Sequence, residues 1–262
     1  MGLHNRLFAL AVGGVALLSL TACEGILNGI YDKPTLNGNQ LYVDASDWGK
    51  WHYLDFDALL DSVANTPAGK NLSYTWQEQS IPTDSIKPTD TGSLDCGIYT
   101  YWYDVYASGL STYEFRSAYG TNVQPDPAKW DIAVHLDNVR TNGGAAYETE
   151  LTDMSALPSS SSEFKDKVFT EDSWNEKDVW VEKSEMLLGL IGSQAIKTNP
   201  VLSNWLNTKI PPMPPSVERN DHIFILRLKN GNYVALQLAY HKTKDDRNYG
   251  LTINFRYYYD EK

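Results

Sequence analysis

The sequence predicts an all-β domain of mostly antiparallel sheets with short helices and one long insertion. Aromatic and aliphatic residues recur at alternate positions in several short segments, the period of a strand with one buried face. An Asn230-Gly231 pair stands between two such segments near the C-terminus, the pairing that best tolerates positive φ in a hairpin turn. The composition is that of a packed chain, with 262 residues, 42% apolar and 21% charged, and it is rich in rings, with 17 Tyr and 8 Trp. That length holds one large β domain or two smaller ones.

Residues 1–22 read as a secretion signal, in which Arg6 supplies the positive start and Leu7 to Leu18 an apolar run too short to span a membrane. The run ends in Leu20-Thr21-Ala22-Cys23, the Leu-x-x-Cys pattern of a bacterial lipoprotein. Cys23 is therefore the expected lipidation site, bearing diacylglycerol and palmitate, and several chains on one terminus hold a protein stably at a bilayer. Residues 23–39 are the expected tether, rich in Gly, Asn and Pro, and 40–262 the β domain.

A strand is expected at Gln40 to Val43, and another where Trp51 and Tyr53 alternate with His52, Leu54 and Phe56. Asp57 to Ala64 reads as one or two turns of helix, and 65–97, rich in Thr, Pro, Ser, Asp and Gly, as loop. Ile98 to Tyr106 is an aromatic strand, continued by a hairpin over Ala107 to Tyr119. Trp130 to His135 alternates again, with Trp130, Ile132 and Val134 expected to face inward. Residues 148–178 are polar, Ser-rich and expected to be mobile. Ile223 to Leu228 and Tyr233 to Tyr240 flank the Asn-Gly pair. The last strand places Leu251, Ile253, Phe255, Tyr257 and Tyr259 on one face. No internal repeat is present.

Composition and spacing narrow the chemistry. A formal charge of −11 argues against nucleic acid, whose phosphates need Lys and Arg. His52, His135, His222 and His241 are scattered without a His-x-x-x-His pair, so each reads as structural rather than as a zinc ligand. There is no Gly-x-Ser-x-Gly elbow and no Gly-rich phosphate loop. Cys96 has no His nearby and reads as inert. Carboxylate pairs are too numerous in an acidic chain to single one out for glycoside chemistry or to dismiss it. The expectation is a binding protein without catalytic residues. Met213 stands out because four prolines, in Pro211-Pro212-Met213-Pro214-Pro215, fix the backbone around it. A thioether so held suits either a soft ligand to haem iron or a gap in the core.

The segment Trp130-Asp131-Ile132-Ala133-Val134-His135, leading through Arg140-Thr141-Asn142-Gly143-Gly144, resembles the signature of the HmuY-like haem-binding lipoproteins. The lipobox, Val43-Asp44-Ala45-Ser46 with the Trp51-His52-Tyr53 strand, Trp205-Leu206 before a Pro-rich loop, and the closing hairpin and strand recur in the same order. The resemblance covers roughly 40–56, 130–158 and 200–259, and leaves about 57–128 as an insertion. It implies a surface lipoprotein of the outer membrane, anchored or secreted after release, that captures haem and passes it to a TonB-dependent receptor. It implies axial ligands from two loops, His in some members and Met in others. His135 falls within the strand motif, so its role is structural, and the loops that match offer Met186 and Met213. Haem is a flat apolar disc with two carboxylates, so its wall is expected from Trp174, Trp180 and Trp205. Met sulfur favours the ferrous state. The alternative from another class is a glycan- or protein-binding surface lipoprotein on the same scaffold, motivated by the aromatic stretch Tyr99 to Tyr119.

Overall fold

The computed structural model describes residues 40–67, 70, 72–82, 99–104, 114–120, 123–175, 178–183, 190–209, 216–241 and 249–259. For 99–104, 114–120, Leu190, Lys209 and Ser216 it describes the backbone alone. The signal, Cys23, the tether, Cys96, Met186 and Met213 lie outside these residues.

In chain order the first strands are β1 (Gln40–Asp44) and β2 (Lys50–Leu54), then helix α1 (Phe56–Asn65) and β3 (Gln77–Ser80). β4 (Tyr99–Asp104), β5 (Glu114–Gly120), β6 (Ile132–His135), β7 (Asn138–Thr141) and β8 (Ala145–Glu148) follow. Next come β9 (Thr170–Glu171), β10 (Ser173–Asn175), β11 (Trp180–Glu182), β12 (Leu190–Gln194) and β13 (Ile196–Thr198). The chain closes with β14 (Leu206–Lys209), β15 (Ser216–Arg219), β16 (Ile223–Arg227), β17 (Tyr233–His241) and β18 (Gly250–Tyr258).

Every described pairing is antiparallel. A six-stranded sheet runs β1-β18-β17-β16-β8-β9, a four-stranded sheet β3-β2-β6-β7, and another β11-β12-β4-β5. Two ribbons, β10-β13 and β14-β15, complete the topology. The mostly β architecture expected from alternation is the one found.

Alternation sorts residues between packed layers. In β16, Phe224 and Leu226 enter the central core while Ile223 and Ile225 enter an outer cluster. The central core lies between the six-stranded sheet and β2 and β6, joined by Leu59 of α1 and by Trp205. Trp51, Tyr53, Trp130 and Ala133 form a further cluster with Val179, Val181 and Ile196. The β2-β6 sheet is thus covered on both sides. This corrects the expected grouping: Ile132 and Val134 pack in the central core, but Trp130 packs with Trp51 and Tyr53 on the other side. Likewise all of Trp51 to Leu54 is buried, because β2 is an inner strand.

Other local outcomes have plain causes. Asp55 caps α1 by accepting the amides of Asp57 and Ala58. Within 65–97, expected to be loop, Gln77–Ser80 pairs with β2. Its residues carry no apolar alternation, so the strand is imposed by its neighbour. The 148–178 stretch, expected to be mobile, is pinned across the outer face by buried Leu157 and Phe164. The β16–β17 connection runs from Leu228 to Asn232 and is closed by Leu228 N donating to Asn232 O, which leaves a three-residue tip, 229–231. Gly231 N donates to Leu228 O, and of the Asn-Gly pair only Gly231 takes positive φ, at 90°. Leu251, Ile253 and Phe255 share the central core as expected, whereas Tyr259 is 69% exposed because the ladder ends at Tyr258. The segment 57–128 contributes α1, β3, β4 and β5 to this framework.

Candidate functional site

The signature hairpin is built almost wholly for support. Asp131 accepts the Phe56 amide at 2.8 Å, and Asn142 donates to the Trp130 carbonyl at 2.9 Å. Arg140 grips Asp126 with two bonds of 3.0 Å and lies over the rings of Trp130 and Trp51. His135 is fully buried, with one ring nitrogen 2.9 Å from the Lys50 carbonyl and the other 2.8 Å from that of Trp180. It therefore ties β2 to β11, and burial holds its pKa below the ordinary value. The structural role expected of His135 matches this placement. A Cβ on Gly144 would lie 2.9 Å from the Arg227 carbonyl, which accounts for the second glycine of the motif.

One part of the hairpin faces elsewhere. Its turn is Leu136-Asp137, and Leu136 has φ 52°, which bulky residues avoid. The conformation is held because the Leu136 side chain is buried in the central core while its amide donates to the Ala45 carbonyl. With Leu136 committed to the core, Asp137 is presented to a cavity of about 610 Å³.

Asp137 and Asn138 line the base of that cavity. One side is β10 with Thr198 and Pro200, a second is Asp178 and Trp180, and a third is Ser203, Asn204 and the start of β14. Short elements form these walls, so side-chain bonds hold them. Asn138 donates to the Asp178 carbonyl, and the Asp178 amide donates to Asn175. Buried Asn199 takes its amide to Val139 O, its side chain to Thr170 O and Asp172, and accepts from the Leu202 amide. Asp172 also accepts both the amide and hydroxyl of Thr141.

The three expected tryptophans divide. Trp174 and Trp180 both line the cavity; Trp174 is 40% exposed, and Trp180 is backed by the Trp48 ring at 6.0 Å. Trp205 is buried in the central core and sends its indole N–H to the Asp137 carbonyl at 2.9 Å, so it supports the base from behind. The methionine segments are the direct continuations of two walls. Met186 follows Trp180 by six residues and Met213 follows Thr208 by five.

Electrostatically the cavity is acidic. Asp137 and Asp178 line it with Asn138, Asn175, Asn204 and Asn207, and no Lys, Arg or His is among its described lining residues. Burial, reinforced by the Asp178 charge and opposed by a hydrogen bond from Thr208, pushes the Asp137 carboxyl up to about 7. Among the described residues no three His, Cys, Asp or Glu side chains cluster as a metal site. The carboxylates and asparagines escaped the sequence reading. Their only trace is polar residues where strands begin or end, a pattern shared with ordinary turns.

The HmuY protein family model matches residues 47–257. The chain belongs to the HmuY family. Among solved structures, this HmuY-family chain resembles a Bacteroides vulgatus protein proposed to be an HmuY-like haem binder, with 23% identity and a TM-score of 0.54, over 85% of this chain and 92% of that one. It also resembles an apo HmuY analogue from Tannerella forsythia, with 16% identity and a TM-score of 0.56, over 84% and 95%. A proposed lipoprotein of Bacteroides fragilis shares 21% identity at a TM-score of 0.54, over 85% and 90%. At these identities the likeness is one of fold. No curated protein matches the chain.

Proposed function

We propose that this HmuY-family protein is a non-enzymatic haem-capturing lipoprotein whose cargo enters the cavity above Asp137. The observation that carries the reading is the position of that cavity, between two walls whose continuations hold Met186 and Met213. Its volume, about 610 Å³, is that of a small-molecule site, and the Trp174 and Trp180 rings supply apolar surface for a flat ligand. The two Met thioethers are the proposed axial ligands. They are neutral and soft, so ferrous haem should bind more tightly than ferric, and ligand protonation should not loosen it in mild acid.

The Bacteroides vulgatus protein proposed to bind haem and the family match support the cargo. The lipobox and the proposed lipoprotein of Bacteroides fragilis support attachment through Cys23 to the outer membrane, where the cargo would pass to a TonB-dependent receptor. A second reading, glycan binding, is favoured by the asparagine-rich lining beside half-exposed Trp174.

Absorbance titration of the purified domain, oxidised and dithionite-reduced, tests the haem reading. A Soret band that is tighter in the reduced state, and lost in a Met186→Ala, Met213→Ala double variant, is the expected result. Carbohydrate binding without any Soret change would favour the second reading, and equal affinity in both redox states and both proteins would remove the methionine pair.

A further inference from the structure

The haem reading leaves one feature of the cavity unused. A carboxylate-bearing ligand would enter a space lined by two carboxylates and, among its described lining residues, by no cation. Asp137 is held there by a backbone that a bulky residue adopts only under constraint, and its carbonyl is fixed by Trp205. Its main chain therefore cannot move away without unpacking Leu136 from the core.

We infer that Asp137 is a proton-linked specificity residue, which takes up a proton as the anionic edge of the ligand enters and then donates a hydrogen bond to it. This deepens the haem reading and rests on it. A carboxylic acid facing a carboxylate can share its proton, whereas two facing carboxylates repel once the ligand excludes water from between them. Ionised Asp137 would therefore reject the ligand edge that protonated Asp137 accepts.

The groups around Asp137 act on its proton in both directions: burial and Asp178 favour the proton, whereas the donors Asn138 and Thr208 favour the ionised form. Asp178, before β11, adds negative charge, and Asn138 donates to Asp137 Oδ1 at 3.1 Å. From β14, Thr208 donates to the carboxyl. Tyr249, whose phenol bonds Thr208, is held neutral by burial and by Asp137 itself. The Leu202–Trp205 turn offers only an indole N–H, to the main chain, and β10 contributes no charge. The Asp137 carboxyl, up to about 7, stands where a modest ligand charge changes its occupancy.

The sign follows from linkage. Below the free carboxyl's pKa the proton is already present and affinity is level. Above it each binding event must draw a proton from solution, so affinity falls by about tenfold per pH unit until the bound form also ionises.

The test is haem titration at pH 6.5 and 8.5, with a parallel pH titration of Trp fluorescence in the ligand-free protein. Expected are a loss of roughly 25-fold in haem affinity over that range, and a ligand-free fluorescence transition near neutrality. Both should be abolished in Asp137→Asn, which keeps the side chain's size and hydrogen-bonding reach. Asp178→Asn should move the ligand-free transition to lower pH. Level wild-type haem affinity, or a pH slope that survives Asp137→Asn, would overturn the inference even with a strong Soret band. Absence of a Soret band at every pH would instead overturn the haem reading and the ligand half of the inference. The fluorescence transition would still report on the proton.

Discussion

Two neighbouring regions of this molecule are stabilised differently. The Trp130–Gly144 hairpin belongs to a four-stranded sheet covered on both sides, and its Asp131, Arg140 and Asn142 bond protein partners. Two of the cavity walls are three- and four-residue strands in two-stranded ribbons, which are marginal by themselves, and the third is the short edge strand β11. They stand because Asn199, Asp172 and Asn138 fasten them to the hairpin. The hairpin is a scaffold stabilised by burial, and the walls are a polar surface stabilised by a few directed bonds. A binding surface needs unburied polar groups, so it cannot share the hairpin's source of stability.

Substitutions should separate the regions. Trp51→Ala, on the scaffold side, removes a fully buried indole and its bond to Gln194. It should lower stability by about 3–5 kcal/mol in chemical denaturation. Asn199→Ala leaves the Thr170 carbonyl and Leu202 amide without their partner and should lower stability by about 2–3 kcal/mol. Amide exchange should quicken first in β10 and β13, and equal loss throughout the sheet core would deny the walls their separate status.

Trp174→Ala should change stability by less than about 1 kcal/mol, since the ring is 40% exposed. It should nevertheless weaken haem binding roughly threefold to tenfold. A variant that loses stability but keeps haem affinity would place Trp174 with the scaffold.

The smallest expected effects concern pH, and they carry opposite signs in the two regions. Burial lowers the pKa of scaffold His52 and His135 below 6.5, so the unfolded chain takes up the proton first. Their contribution to stability is therefore lost as pH falls through 6.5. Asp137, raised from 3.8 to about 7, penalises the fold above about 7, and that penalty fades on acidification. Asp137→Asn should raise the melting temperature at pH 8 by about 2–4 °C, the effect of ~1 kcal/mol in a domain this size. The gain should vanish near pH 4. A gain independent of pH would show that the carboxyl titrates normally.

The comparison also accounts for what could be read from the chain. Strands β16 and β17 were legible as apolar runs flanking Asn230-Gly231, and β18 because its alternation persists along the strand. Trp130 is buried as expected but joins the other layer, since it precedes β6 and that strand is covered on both faces. Gln77–Ser80 gave no signal because its pairing depends on β2 and not on its own residues. Of the cavity, Trp174 and Trp180 were visible as large rings. Asp137 was not, because its importance comes from a strained turn at Leu136 and a desolvated space that only the assembled walls create.

A crystal structure of the domain soaked or grown with reduced haem decides where the ligand sits. The account predicts the ring edge between Trp174 and Trp180, above Asp137, with Met186 and Met213 sulfurs on opposite faces of the iron. Haem bound elsewhere on the molecule, with this cavity still open to solvent, would contradict it.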